Sequence, residues 1–173
     1  MQPPVQPSNE AQRLKTLDET ALLDTQNEQR FDRVTRLVKR CLGVDIVLIS
    51  LLDETRQWFK SKQGLDACDT PREISFCGHA ILHSDIFEVA DSLQDVRFKD
   101  NPLVTGAPHI RFYAGAPLII DGSAIGTLCV ISKAPRMLTS GERETLREFA
   151  DLVEQEIVDR LQEQAHAQLS ARE

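Results

Sequence analysis

Apolar residues recur at three- and four-residue steps through Phe31, Val34, Leu37, Val38, Cys41 and Leu42. That spacing predicts an amphipathic helix with one stripe against a core. Asn27 is its predicted N-cap, and Gly43 ends it as a left-handed residue past a helix end does. The periodicity then changes. Val44 to Leu52 reads VDIVLISLL, almost continuously apolar, as suits a central strand covered on both faces. After a turn at Asp53-Glu54-Thr55-Arg56, the run Gln57 to Gln63 (QWFKSKQ) is more polar and predicts a more exposed strand. Upstream, Pro3, Pro4 and Pro7 make residues 1–8 a flexible tail. Ser8 is placed to cap a helix from Asn9 to about Leu17, with a helical turn on to Leu23.

The second half carries sharper signals. Residues 64–75 read as a loop containing Asp66, Asp69, Pro71 and Glu73, and Ser75 caps a short helix from Phe76 to Leu82. A short strand at Phe87 to Ala90 leads into a long connection, Asp91 to Gly106, of the kind that often carries function. Arg111 to Ile120 and Ala124 to Ser132 make a hairpin around the Asp121-Gly122 turn. Thr139-Ser140-Gly141-Glu142 is a capping box that opens a final helix to about Leu169. Hairpins without regular βαβ crossovers predict the α+β class, an antiparallel sheet with helices against it.

Composition narrows the function classes. A chain of 173 residues is sized for one domain. A net charge of −7 argues against a grip on nucleic acid, which depends on neutralising phosphates. Aromatics at 5% argue against a base-stacking platform. No apolar run approaches a membrane span, and the first residues do not read as a secretory signal. Four scattered cysteines, Cys41, Cys68, Cys77 and Cys129, with no C-x-x-C pattern, predict reduced thiols in a cytoplasm. The acidity is uneven. Residues 139–173 hold nine acids and four basic residues, whereas residues 28–42 hold two acids and five basic residues. The two helices are predicted to attract each other if they lie side by side.

Several runs carry a family resemblance: ALLDTQNEQRFDRVTRLVKRCLGVDIVLISLLDETRQWFKSKQGLD, PREISFCGHAI, VADSLQDVRFKDNPLVTG, IRFYAGAPLI and IGTLCVIS. In that order, from about Leu14 to Leu161, they resemble GAF domains of bacterial sensor proteins, of the type found ahead of histidine kinases and diguanylate cyclases. The resemblance implies a PAS-like fold with an antiparallel sheet of about six strands, terminal helices on one face and a ligand pocket on the other. It implies one GAF domain over residues 9–161, with residues 139–173 as an output and dimerisation helix, in a stand-alone protein or a fragment. The implied function is that of a non-catalytic sensory or regulatory domain in signal transduction. Such a domain binds a small molecule and relays a change through its terminal helices. Its implied partners are a second copy of itself, a small-molecule ligand of unknown identity, and an effector domain such as a histidine kinase or diguanylate cyclase. Positions carried over from the family line the pocket with Phe76, Cys77 and His79 from the short helix, Asp91, Phe98 and Asn101 from the long connection, and Arg111 and Tyr113 from the hairpin. Tyr113 and Phe112 alternate across the strand, so only one of them faces the pocket.

The residues narrow the specific chemistries. The Cys-His dipeptide of covalent bilin attachment is replaced by Cys77-Gly78-His79. Arg97 and Arg111 offer forks to an anion, or pair with Asp91 and Asp95. His79 and His83 share a helix face at metal-ligand spacing, but no further ligand is near in sequence, so no metal is expected. Two alternatives remain: a dimerisation scaffold without a ligand, and a free methionine sulfoxide reductase. The Cys77-Gly78 pair resembles the pocket helix of that reductase, but the loop Thr105–His109, where the family carries another cysteine, holds none. On this reading Cys77 and Cys129 are small buried apolar residues; the alternative for Cys77 is a thiol whose pKa the helix N-terminus lowers, making it redox-reactive. In the last helix, Phe149, Val153, Ile157, Leu161, Ala165 and Leu169 are spaced by four. A four-residue step overshoots a turn by about 40°, so the stripe winds. Its first half is predicted to dock on the domain and its second half to face a partner chain.

Overall fold

The computed structural model describes residues 1–172. Helices α1 (Glu10–Glu19) and α2 (Gln29–Leu42) precede strands β1 (Ile46–Leu52), β2 (Arg56–Gln63) and β3 (Asp69–Pro71). A 3-10 turn (Arg72–Ile74) leads to α3 (Phe76–Ala80) and β4 (Phe87–Val89). A second 3-10 turn (Ser92–Gln94) and α4 (Pro102–Thr105) follow, then the hairpin β5 (Phe112–Ile120) and β6 (Ser123–Ser132), and finally α5 (Ser140–Ser170). Six strands form one sheet in the order β3-β2-β1-β6-β5-β4, and every pairing is antiparallel. The α+β expectation therefore holds.

The sheet separates two cores. One joins α1, α2 and α5 to the sheet through residues such as Leu17, Phe31, Val38, Leu128, Leu146 and Ile157. The other lies under α3 and α4 and includes Leu48, Phe76, Phe98, Tyr113 and Cys129. Alternation along β5 divides the neighbours: Phe112 enters the helix-side core and Tyr113 the opposite one. The hairpin closes through Asp121 and Gly122, both at positive φ (48° and 77°), the backbone that a primed two-residue turn requires. The capping box is present: Glu142 N–H donates to Thr139 Oγ1 at 3.1 Å, and Thr139 N–H donates to Glu142 Oε1 at 3.1 Å.

Four local expectations change. The polar run of β2 is not exposed: Gln57, Trp58, Phe59, Lys60 and Ser61 are all buried. β2 lies between β1 and β3, and α2 covers it. Most of its polar groups find partners, with Ser61 Oγ donating to Asp32 Oδ1 at 2.6 Å and Lys60 Nζ donating to Thr25 Oγ1 at 2.7 Å. Second, β3 lies inside the segment expected to be a plain loop, because backbone pairing with β2 needs no apolar pattern. Third, α2 starts one residue later, with Glu28 at its N-cap and no side-chain cap bond. Fourth, the proline-rich start is held against α3. Gln2 N–H donates to Arg97 O at 3.0 Å, and Gln2 O lies 3.0 Å from His79 Nε2. Gly78 permits this approach, since a Cβ there would stand 2.6 Å from Pro4 Cγ.

The expected attraction between α2 and α5 takes a specific form. Arg30 Nη2 lies 2.6 Å from Glu163 Oε2, and Arg160 Nε lies 2.9 Å from Glu28 Oε2. On α5, Leu146, Ala150, Val153, Ile157 and Arg160 are buried, while Ala165 and Leu169 are exposed. Leu161 still packs against the helix-side core, and the winding stripe leaves the domain surface after it.

Candidate functional site

Ser75 caps α3, its Oγ accepting from Gly78 N at 3.0 Å. This cap aims Phe76, Cys77 and His79 at the sheet. Phe76 stacks on Phe98 with ring centroids 4.1 Å apart and leans on Tyr113 at 5.2 Å, while His79 meets Phe98 edge-on at 4.8 Å. Such pairs are worth about 0.5–1.5 kcal/mol beyond area burial. Asn101 is fully used: its Oδ1 accepts from Leu103 N at 2.9 Å and its Nδ2 donates to Ile74 O at 3.0 Å. The structure thus brings together Phe76, Cys77, His79, Phe98, Asn101 and Tyr113. All but His79 are at most 2% exposed, and they pack against one another between α3 and the sheet. Asp91 and Arg111 instead pair with each other in a fork, at 3.0 and 3.1 Å. Arg97 likewise holds Asp95 at 2.7 Å. Both guanidinium groups are therefore occupied by acids, and each hydrogen bond lowers the pKa of its carboxylate. His79 and His83 both lie against the Phe87 ring. Among the described residues, no group of three or more His, Cys, Asp or Glu side chains is arranged to hold a metal ion.

A cavity of about 430 Å³ lies beside this core rather than within it. Leu48, Phe59, Ile110 and Ile131 form apolar walls, with Gln57 and Lys133 as polar groups. Gln57 Nε2 donates to Thr70 Oγ1 at 2.8 Å, and its buried Oε1 has no partner among the described residues. Sequence reasoning missed these positions. The only signal was same-face alternation along β1, β2 and β6, which does not distinguish a cavity wall from filled core.

The most reactive constellation is a thiol pair. Cys77 Sγ and Cys129 Sγ are 3.9 Å apart, and both residues are buried. The Tyr113 and Thr127 hydroxyls each donate to Cys77 Sγ at 3.1 Å. Burial pushes the Cys77 pKa up, but hydrogen bonds from Cys129, Thr127 and Tyr113 outweigh it and lower the thiol to about 7. Cys129 moves the other way, raised by burial and by its sulfur neighbour. The hydroxyl donors thus favour ionisation at Cys77, whereas burial opposes it at Cys129. Both cysteines are buried as expected, and packing adds a direct contact between their sulfurs. The two positions lie 52 residues apart, and only the packing of α3 onto β6 brings them together.

Comparison with known proteins defines the class. The GAF domain family profile matches residues 26–157. The chain belongs to the GAF domain family. It is 44% identical over 155 residues to a cyclic di-GMP phosphodiesterase of Pseudomonas aeruginosa, an alignment covering 88% of this chain and 26% of that protein. The chain therefore spans about a quarter of the curated relative it matches. Among solved structures, the GAF domain of an Acinetobacter phosphoenolpyruvate-protein phosphotransferase superposes with a TM-score of 0.64 at 18% identity, covering 94% of this chain and 97% of that one. A free methionine-R-sulfoxide reductase of Neisseria meningitidis superposes with a TM-score of 0.63 at 18% identity, covering 94% and 98%. At these identities the structural likeness establishes the fold.

These findings overturn the expectation of a non-catalytic sensory or regulatory domain. The relative at 44% identity is a phosphodiesterase by name, and reductases share the fold. Family membership settled the architecture, but the same architecture serves enzymes, because function resides in sites placed on a fold. Among the described residues, no helix is long and apolar enough to cross a membrane.

Proposed function

We propose that this chain is the GAF unit of a cyclic di-GMP phosphodiesterase and that it pairs two copies of that enzyme through α2 and α5. The observation that carries the reading is the 44% identity over 155 residues to a protein of that activity. Pairing is supported by the helical face. Leu37 on α2 is 41% exposed, and Leu152 and Leu169 on α5 are 54% and 64% exposed. Ala165 and the rest of the last turns have nothing of their own domain to cover them. The free state of all four cysteines fits a reducing cytoplasm.

The test uses the full-length protein that carries this chain. Its hydrolysis of cyclic di-GMP and its mass by light scattering are measured with and without Leu152→Asp and Leu169→Asp. The expected result is hydrolysis by a dimer, with the paired substitutions shifting the mass to monomer and lowering the rate about tenfold. A full-length protein that leaves cyclic di-GMP intact overturns the activity. Unchanged mass and rate in the variants overturn the pairing.

A second reading, reduction of free methionine sulfoxide, is favoured by the 3.9 Å approach of Cys77 and Cys129. Two thiols would supply the electrons: the sulfoxide leaves as thioether, its oxygen leaves as water, and a disulfide remains. Loss of free methionine sulfoxide that requires both dithiothreitol and Cys77 supports this reading. No turnover removes it.

A further inference from the structure

We propose that Cys77 and Cys129 form an oxidation site, at which hydrogen peroxide converts the two buried thiols into an intramolecular disulfide that ties α3 to β6. The inference rests on the geometry of the pair and stands whether or not the same thiols turn over a sulfoxide.

Three observations converge on it. The sulfurs are 3.9 Å apart, so closing to a bond of about 2.05 Å needs a shift of less than 2 Å. Two hydroxyls, from Tyr113 and Thr127, point at Cys77 Sγ at 3.1 Å each. Donors so placed favour the thiolate, which is the attacking species. A cavity also lies close to the pair. Leu48 pairs across the strands with Cys129 and lines the 430 Å³ cavity together with Ile131. The cavity therefore ends one side chain from the pair. By contrast, Cys41 and Cys68 are exposed, and the Cys68 sulfur accepts from Lys62 Nζ at 3.8 Å.

The chemistry balances with peroxide as the oxidant. The Cys77 thiolate attacks one peroxide oxygen; an S–O bond forms, the O–O bond breaks, and hydroxide leaves to become water. Cys129 then attacks the Cys77 sulfenic sulfur. The S–S bond forms, the S–O bond breaks, and the departing hydroxide takes the Cys129 proton as a second water. Two thiols have given two electrons to one peroxide. The disulfide replaces the sulfur acceptor that Tyr113 and Thr127 share, so both hydrogen bonds inside the core change.

The test oxidises the full chain carrying Cys41→Ser and Cys68→Ser with hydrogen peroxide, without any sulfoxide, and follows intact mass. The expected result is a loss of about 2 Da with both remaining thiols protected, reversed by a phosphine reductant. Peptide mapping should join the Cys77 and Cys129 peptides. Adding Cys129→Ser should abolish the 2 Da loss and leave a Cys77 sulfenic acid trapped by dimedone. Cys129→Ala serves the same purpose should the serine variant fold poorly. Oxygen addition at Cys77 without a disulfide while Cys129 is present overturns the proposal, as does no reaction of either buried thiol. Failure of sulfoxide turnover, measured separately, bears only on the reductase reading.

Discussion

Arg160 on α5 reaches Glu28 at the start of α2, with its Nε 2.9 Å from Glu28 Oε2. The same carboxylate oxygen lies 2.8 Å from Lys60 Nζ on β2. One acid thus joins two helices and the sheet. Its partners are poorly hydrated: the Lys60 and Arg160 side chains are 0% and 10% exposed. Burial raises the Glu28 pKa, but the hydrogen bond and charge of Lys60 and the charge of Arg160 outweigh it, so the pKa is lowered. Glu28→Ala leaves two cations without their shared anion and should cost about 3 kcal/mol. Adding Lys60→Met should recover part of that loss, because the stranded ammonium is gone. Urea unfolding of the single and double variants checks both statements. Strict additivity would refute the shared-anion account.

Glu10 gives a pH prediction. Burial raises its pKa, but hydrogen bonds from Arg13 and Arg72 outweigh it and bring the group from 4.5 to about 2. A carboxyl whose pKa is lower in the folded chain stabilises above its unfolded value. That contribution is complete above pH 4.5 and is lost as the pH falls towards 2. The stability gap between wild type and Glu10→Gln should therefore be constant above pH 4.5 and narrow below it. Unfolding curves at several pH values measure this, and a gap that widens on acidification would contradict it.

Gly78→Ala tests how the first residues are held. The added methyl would meet Pro4 Cγ at 2.6 Å and Ser75 Oγ at 2.7 Å. Pro4 is the more displaceable, since Ser75 is fixed by capping α3 and by donating to Arg72 O at 2.6 Å. Amide exchange at Gln2, whose N–H donates to Arg97 O, should rise at least tenfold while the sheet stays protected. Unchanged exchange at Gln2 would mean that Gly78 does not set this contact.

Thr139→Ala removes one half of the capping box on α5. The expected loss is about 1 kcal/mol, with Thr139→Ser close to wild type. The melting temperatures of both variants decide it, since a cap-independent helix would tolerate either equally.

The fold was legible because its determinants are local and periodic. The VDIVLISLL run of β1, the Asp121-Gly122 turn and the Thr139–Glu142 box each specify their own conformation. The order of these signals, with the family motifs, is enough for an antiparallel sheet flanked by helices. β2 was misjudged as exposed because its polarity is answered by residues remote in sequence, such as Thr25, Asp32 and Thr70. The site was legible only in part. The motif residues around Phe76 and Phe98 do meet, but they fill the space between α3 and the sheet, and the cavity opens beside them.

By itself, the sequence determined the helices, the strands, the α+β class and the family, because hydrophobic period, capping and turn residues act over a few positions. Only the tertiary structure decided which side chains share a site. The Cys77–Cys129 pair, the Lys60–Glu28–Arg160 bridge and the cavity beside Leu48 join segments that no local pattern connects. Their chemistry depends on burial and on distances of 2.8 to 3.9 Å, which are set only when separate elements pack on the two faces of one sheet.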